Sequence, residues 1–279
     1  MNTGRFWIDK VDASNDFGVC LCAGSFAFLL SYPQLKEPDF NDWAEEDGIE
    51  VDLSNPKLDT RTLTLNFSTF GQDPDWEGFI TLLSGSKSYH TFTFDDLSGE
   101  KFILRLNQST EFKVEGLVQF TLEFSDDTPL PNYTYKPPVS FIDTKTEYGL
   151  DGRWLSDYGL RMNSGTMAEL LKPSQVKKRQ LFTNKVITGV IYDDAPVKFT
   201  QKQVVLPCSI QAGTMVEFLH NYKALLYDLT RPGVHTLTKP DDKKSWGFYY
   251  QQATIENFSY SGGVVLCVMK LTLQITSYK

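Results

Sequence analysis

The chain has 279 residues, 41% of them hydrophobic and 14% aromatic, with a formal net charge of −8. That length allows one large domain or two of ordinary size, and the apolar share suffices for packed cores. No run approaches the roughly 18 apolar residues of a membrane span, and charged residues follow Met1 within a few positions, so neither a span nor a signal peptide is expected.

In chain order, Ile8-Asp9 and Asp16-Phe17-Gly18-Val19 come first, followed by Cys20 and Cys22, whose spacing puts both on one face of a strand. With Cys208 and Cys267 they show no metal-ligand spacing and read as free thiols in a reducing compartment. Alternation of apolar and polar residues over 62–67, 91–94, 102–106 and 118–124 marks half-buried antiparallel strands. Turn residues at 95–100 join two of these as a hairpin. Between them Trp76, Phe79, Ile80 and Leu83 fall at i, i+3, i+4 and i+7, one helical face, with Asp75 as N-cap and Gly85 as stop. The prolines of 129–138 cannot continue a central strand and read as a semi-rigid linker. Beyond it, strands are expected at 186–192, 203–210, 246–251 and 264–277, and Gly262-Gly263 suggests a tight turn or bulge. Met215, Phe218, Leu219 and Tyr222 repeat the helical spacing behind Thr214, so the two helices are expected at about 75–84 and 214–226.

Read this way, the chain is written twice. Ile8-Asp9 is echoed by Ile142-Asp143, Asp16–Val19 by Asp157–Leu160, and Gly48–Asp52 by Gly189–Asp193. Leu63-Thr64-Leu65 matches Val204-Val205-Leu206, His90–Thr93 matches His235–Thr238, and Phe120–Phe124 matches Leu271–Ile275. The matches keep one order while their offset drifts from 134 to 151 residues, a period far too long for a solenoid. The expected fold is mainly β with one helix per repeat, a tandem duplication of an antiparallel sandwich or barrel domain. Residues 1–128 form the first repeat, 129–140 the linker and 141–279 the second.

Charge divides the copies. Residues 1–139 hold 10 Lys and Arg against 23 Asp and Glu, or −13, while residues 140–279 hold 17 against 12, or +5. The contrast is sharpest in the loop before the Gly48 or Gly189 strand. Copy one has Glu37, Asp39, Asp42, Glu45, Glu46, Asp47 and Glu50 there; copy two has Lys172, Lys177, Lys178, Arg179 and Lys185. Loops of opposite sign can meet head to tail, within a chain or between chains. Glu45, Glu46 and Asp47 are therefore the expected interface partners of Lys177, Lys178 and Arg179, in an assembly that weakens with salt.

The search for chemistry finds no GxGxxG, P-loop or HExxH pattern. His90 and His235 read as partly buried strand residues, and His220 has no acidic partner one helical turn away. The acidic cluster at Asp42, Glu45, Glu46 and Asp47 lacks the spacing of a calcium loop. No enzyme activity, cofactor or metal is expected.

A duplicated, acidic sheet domain with one flanking helix and long loops at 33–47 and 172–185 resembles the tail-tube-like domains of long-tailed bacteriophages, including distal tail and baseplate hub proteins. The segment Asn41–Leu53 is similar to the region after the first strands in tail components of prophages. The resemblance spans nearly the whole chain in arrangement. It implies a structural ring protein of the virion tail, assembled in the cytoplasm, in which a chain with two copies reaches six-fold geometry as a trimer or else assembles as a hexamer. Its partners would be itself and other tail proteins, with no membrane. DNA would pass without specific binding, which an acidic or neutral lining suits, since Lys and Arg would grip phosphate. The alternative is a carbohydrate- or cell-surface-binding β-sandwich module that stacks Trp on sugar rings. Among Trp7, Trp43, Trp76, Trp154 and Trp246, Trp43 in its charged loop is the expected exposed aromatic, and Trp76 the structural one.

Overall fold

The computed structural model describes residues 4–107, 113–115, 119–130, 133–141, 147–178, 181–182, 185–186, 188–192 and 196–278. The chain opens with β1 (Phe6–Ile8), β2 (Val11–Asp12), the short helix α1 (Ala13–Phe17), β3 (Val19–Leu21) and a second short helix α2 (Ser25–Leu29). A long arm follows, carrying the two-residue strands β4 (Phe40–Asn41) and β5 (Glu50–Val51). Then come β6 (Arg61–Thr69), α3 (Trp76–Ser84), β7 (His90–Phe94), β8 (Glu100–Leu106), β9 (Lys113–Glu115) and β10 (Gln119–Asp126).

After the segment 133–141 the series starts again. It runs β11 (Gly149–Leu150), β12 (Arg153–Trp154), β13 (Leu160–Met162), α4 (Thr166–Leu171), then a second arm with β14 (Leu181–Phe182) and β15 (Ile191–Tyr192). It ends with β16 (Lys202–Ala212), α5 (Met215–Leu229), β17 (His235–Lys239), β18 (Lys244–Ser261) and β19 (Val264–Tyr278). The fold is mainly β, an antiparallel sheet curled into a half-barrel. Its helices outnumber the one per repeat expected from sequence, because α1, α2 and α4 are one-turn pieces too short to show a helical period.

Strands in the first sheet follow the order β2-β1-β7-β8-β10-β6-β3, with β9 on β10; in the second the order is β12-β11-β17-β18-β19-β16-β13. Replacing each strand by the one at the same place in the series turns one order into the other. Alternation explains the cores. Leu63, Leu65 and Phe67 of β6 point inward with Phe120, Leu122 and Phe124 of β10, as do Val204, Leu206, Cys208 and Ile210 of β16 with Met269, Leu271 and Leu273 of β19. Each such side chain is worth about 1.5–3 kcal/mol on full burial.

Both helices start where their caps require. Asp75 accepts from the Gly78 amide at 2.9 Å, and Thr214 from the Glu217 amide at 3.1 Å. Glu217 reaches back to the Gly213 amide at 2.8 Å, closing a reciprocal cap. Phe79 is fully buried among Phe6, Phe67 and Phe120, with ring centroids 5.5–6.2 Å away. Met215, Phe218, Leu219 and Tyr222 are buried in the same way. Trp76 is the exception to its stripe: it is 38% exposed, because helical spacing fixes a face but not how far the sheet beneath it extends. The helix α5 also runs three residues past the expected end, to Leu229.

Three strand expectations shift. The run 186–192 is a strand only at Ile191–Tyr192 among its described residues, and β18 continues ten residues beyond the expected 251, to Ser261. Gly262 and Gly263 both have positive φ, 61° and 78°, the two-residue turn that matches strand twist. In the last strand Leu271 pairs with Leu206 as Leu122 pairs with Leu65, so the offset there is 149, not 151.

The two sheets are packed together through the segment after α2. The Tyr32 ring lies 4.3 Å from that of Tyr222, its hydroxyl donates to the Tyr222 carbonyl at 2.6 Å, and the Tyr250 hydroxyl donates to the Pro33 carbonyl at 2.7 Å. Burial pushes the Tyr32 hydroxyl pKa well up. Phe258 of β18 bridges Phe26 of the first half and Phe218 of the second.

Candidate functional site

The two arms are the parts of the chain that the sheets do not need. Each leaves its sheet through a β-bridge, Leu35 with Leu58 in the first and Val176 with Phe199 in the second. Backbone bonds repeat around the bridges: Lys36 donates to the Lys57 carbonyl at 2.8 Å, and Lys177 to the Lys198 carbonyl at 2.7 Å. Further out, Phe40 pairs with Val51 and Asn41 with Glu50, while Leu181 pairs with Tyr192 and Phe182 with Ile191. Both hairpins thus enclose loops of one length, 42–49 and 183–190. Gly48 and Gly189 occupy the same loop position at φ 71° and 88°, a left-handed conformation that glycine adopts without strain.

The first arm closes on the second half. The Lys177 ammonium donates to Asp42 Oδ1 at 2.5 Å, to the Trp43 carbonyl at 2.7 Å and to the Gly48 carbonyl at 2.6 Å. Three acceptors use all three of its protons, and the residue is only 9% exposed. Around this clasp the Gly48 amide donates to the Phe199 carbonyl and the Phe199 amide to Asp47 Oδ1, each at 2.8 Å. Farther along the arm, the Gly233 amide donates to the Leu53 carbonyl at 2.9 Å and the Leu35 amide to the Gln251 carbonyl at 2.7 Å.

Of the residues expected to meet, Asp47 and Lys177 are brought together within the chain, with Asp42 rather than Glu45 or Glu46 as the charge partner. Glu45, Glu46 and Lys178 are exposed, and Arg179 lies outside the described residues. Trp43 is 51% exposed; its indole donates to Glu50 Oε2 at 3.1 Å, and that bond, with one from Asn41, draws the Glu50 carboxyl below its usual pKa. Trp154 is exposed as well, Trp7 lies under the Arg5 guanidinium, and Trp246 is buried.

A second repeated feature escaped sequence reading. Asp9 and Asp151 both sit in turns at positive φ, 51° and 48°. Each carboxylate lies 2.7 Å from a buried histidine Nδ1, His90 or His235, and accepts the next residue's amide, Thr91 at 2.9 Å or Thr236 at 2.7 Å. Burial alone would raise the Asp9 pKa, but bonds from Lys87, the Thr91 amide and His90 outweigh it and hold it at about 2. Asp151 is lowered in the same sense, burial again being overcome by His235 and Thr236. The structural partner of Asp9 is therefore Asp151, whereas the sequence match placed it at Asp143. Ile142-Asp143 itself lies outside the described residues.

Two concavities flank α5. One of about 850 Å³ opens between β8, residues 128–130 and 133–136, and α5, with Arg61 and Asp126 paired in its wall. The other, about 580 Å³, is lined by Tyr135, Arg153, Asp157, Tyr227 and Arg231, and the Tyr135 and Tyr227 rings stack at 4.8 Å. Among the described residues no group of three His, Cys, Asp or Glu side chains could hold a metal ion, and no helix is long and apolar enough to cross a membrane.

No family model and no curated protein matches the chain. Among solved structures it is similar to the Dit protein (gp 19.1) of phage SPP1, described as a paradigm of the hub adsorption apparatus in phages that infect Gram-positive bacteria. The comparison covers 99% of this chain and 98% of that one, at 11% identity and a TM-score of 0.32. A likeness that loose decides neither fold nor function.

The clasp was half legible. Charge opposition pointed to the right loops, but two of the three acceptors are backbone carbonyls, which no composition reveals. The Asp–His pairs carried one available signal, the recurrence of His-Thr at 90 and 235, with no local hint of a partner more than 80 residues away.

Proposed function

We propose that the chain is a structural component of a phage or prophage tail, at the distal tail, baseplate or tube, forming a ring around a lumen that conducts DNA. One observation carries this reading: two sheets of one strand order stand in a single chain, and the arm of the first is clasped on the second. Such a contact is head to tail between like units, the kind that generates rings when its rotation closes. On this reading the halves are tandem copies of one tail-tube-type unit, and three chains present six of them. The resemblance of the sequence to tail-tube-like domains supports the same view. Its chemistry is mechanical rather than catalytic. The excess of acid in residues 1–139 suits a lumen that must not hold phosphate. The test is negative-stain microscopy of the concentrated protein with light scattering alongside. Rings with a central hole and a mass of three or six chains are expected; a monomer at every concentration would sink the reading.

A second reading, a sugar-binding module, draws on the stacked Tyr135 and Tyr227 beside Arg153, Asp157 and Arg231. An aromatic wall with a few polar groups is the usual make-up of such sites. Titration with a panel of soluble glycans separates the two: binding lost in Tyr227→Ala, by a protein that stays monomeric, would favour the module.

A further inference from the structure

The cleft of about 850 Å³ between β8 and α5 has no part in the clasp, and its lining combines two kinds of surface. One is apolar. Val216, Leu219 and Leu226 lie along a single stripe of α5, at i, i+3 and i+10, and Phe102 and Ile103 of β8 form the other wall. Ile103 is 42% exposed and Val216 67%, so an apolar strip on both walls stays in contact with water. A lone exposed valine means little, but two walls of one cleft lined in this way offer an apolar molecule a place out of water.

The other surface is charged, and its charges do not balance. Arg61 is engaged by Asp126 and by the Leu29 and Ser31 carbonyls, and the Lys223 ammonium lies 2.6 Å from Glu100. Those two pairs cancel. Lys101 and Lys136 also line the cleft, both are exposed, and among the described residues neither forms an ion pair. The third wall is strained at one residue. Leu130 holds φ 56°, a left-handed conformation that a non-glycine residue keeps only where its surroundings impose it, and such residues gather at ligand clamps.

We propose that this cleft binds a small amphipathic anion, an unbranched aliphatic chain ending in a carboxylate, taken up as a free molecule. The chain lies along the strip between Ile103 and Val216, and the carboxylate meets Lys101 and Lys136 through charge-assisted hydrogen bonds. An uncharged apolar ligand would leave both ammonium groups without a partner, an inorganic anion would leave the strip wet, and a cation would meet two like charges. The size fits, since small-molecule sites run from about 300 to 1,000 Å³ and favour the junction between domains. Both long walls belong to this chain, β8 to its first half and α5 to its second, so one aliphatic chain can enter where the surface of a bilayer cannot. A ligand held there touches both halves and adds to the contacts between them.

Isothermal titration of the full-length protein with octanoate, decanoate and dodecanoate tests the proposal. A buried methylene is worth about fourfold in affinity, so each step along that series should gain about fifteenfold. Dodecyltrimethylammonium should bind about tenfold more weakly than dodecanoate, the difference expected from two exposed ion pairs. Lys101→Glu with Lys136→Glu should remove that preference, and Ile103→Asp with Val216→Asp should flatten the gain with chain length. All four positions are exposed, so both variants should melt with the wild type. A dodecanoate analogue carrying a diazirine at its chain end needs no variant: irradiated in the wild-type complex, it should label residues within 98–103 or 216–226. Absence of saturable binding, an affinity indifferent to chain length, equal binding of the cation, or label confined to other parts of the chain would overturn the proposal. So would recruitment to phosphatidylglycerol vesicles by a protein that ignores dodecanoate, which would point to a membrane surface instead. None of these readouts depends on the oligomer, so the site and the ring stand or fall separately.

Discussion

The Lys177 ammonium lies 2.6 Å from the carbonyl oxygen of Gly48, 129 residues away in the chain. The desolvation of this buried ammonium is offset by the Asp42 carboxylate, which stays half in water, and by two backbone carbonyls that complete the shell. The contact ties the tip of one arm to the root of the other. It adds a polar tie to the aromatic contacts of Tyr32 and Phe258 that already join the two sheets.

Replacing Lys177 by Met should keep the stem and lose three hydrogen bonds. The carbonyls of Trp43 and Gly48 would be left to water or to nothing, a cost of about 1–3 kcal/mol. Lys177→Glu should be worse, since it sets a carboxylate against three oxygens, and reversing Glu45, Glu46 and Asp47 should not rescue it. Lys178→Glu, at an exposed position, should stay within about 0.5 kcal/mol. Urea unfolding of the variants measures all three; equal effects at 177 and 178 would mean that the clasp does not form.

Phe79 and Trp76 share one helical stripe but not one environment. Phe79→Ala removes a ring packed among Phe6, Phe17, Phe67 and Phe120 and should cost about 3–5 kcal/mol. Trp76→Ala, at 38% exposure, should cost about 1 kcal/mol. Equal losses in melting temperature would show that α3 is seated differently.

What the sequence made legible follows from the range of each signal. The caps Asp75 and Thr214 act within three residues, and both helices begin where they were read. The alternation around Leu63 and Val204 acts within a strand and gave the buried faces correctly. The pairing of Leu271 with Leu122 rather than Phe120 was lost, because a slip of two residues leaves every side chain on its own face. Buried Glu217, Asn221 and Asp228 were invisible for another reason. They lie on the back of α5, and the packing there of 133–141, with Tyr158 against Asp228, makes that face interior.

The Asp9 carboxyl, at about 2 against an ordinary 3.8, gives the fold an acid dependence whose sign is fixed. A folded value below the unfolded one contributes stability that is fully present above about 3.8 and is lost as pH falls through about 2. Wild type and Asp9→Asn should therefore differ by a constant melting interval near neutrality. That interval should shrink as pH falls from 3.8 towards 2. Asp151→Asn should behave in the same direction, as its carboxyl is also lowered. An interval that grows on acidification would contradict the bonding to Lys87, Thr91 and His90.

Asn221 holds the segment between the sheets as a strand partner would. Its Oδ1 accepts the Val139 amide at 2.8 Å and its Nδ2 donates to the Val139 carbonyl at 3.0 Å. Glu217 accepts the Phe141 amide at 2.8 Å, and His220 Nε2 lies 2.7 Å from the Pro137 carbonyl, so one edge of α5 carries the segment from 137 to 141. Asn221 is fully buried, and Asn221→Ala removes both hydrogen bonds to the Val139 backbone, worth about 0.5–1.5 kcal/mol each. The loss should be local before it is global, because the sheets keep their own cores while the segment lifts. Limited proteolysis should then cut Asn221→Ala within 133–141 several-fold faster than wild type at a temperature where both are folded. His220→Ala, which removes one bond from an exposed side of α5, should fall between them. Cleavage at the same rate in all three would show that the segment is held by Tyr135 on Tyr227 and not by this edge.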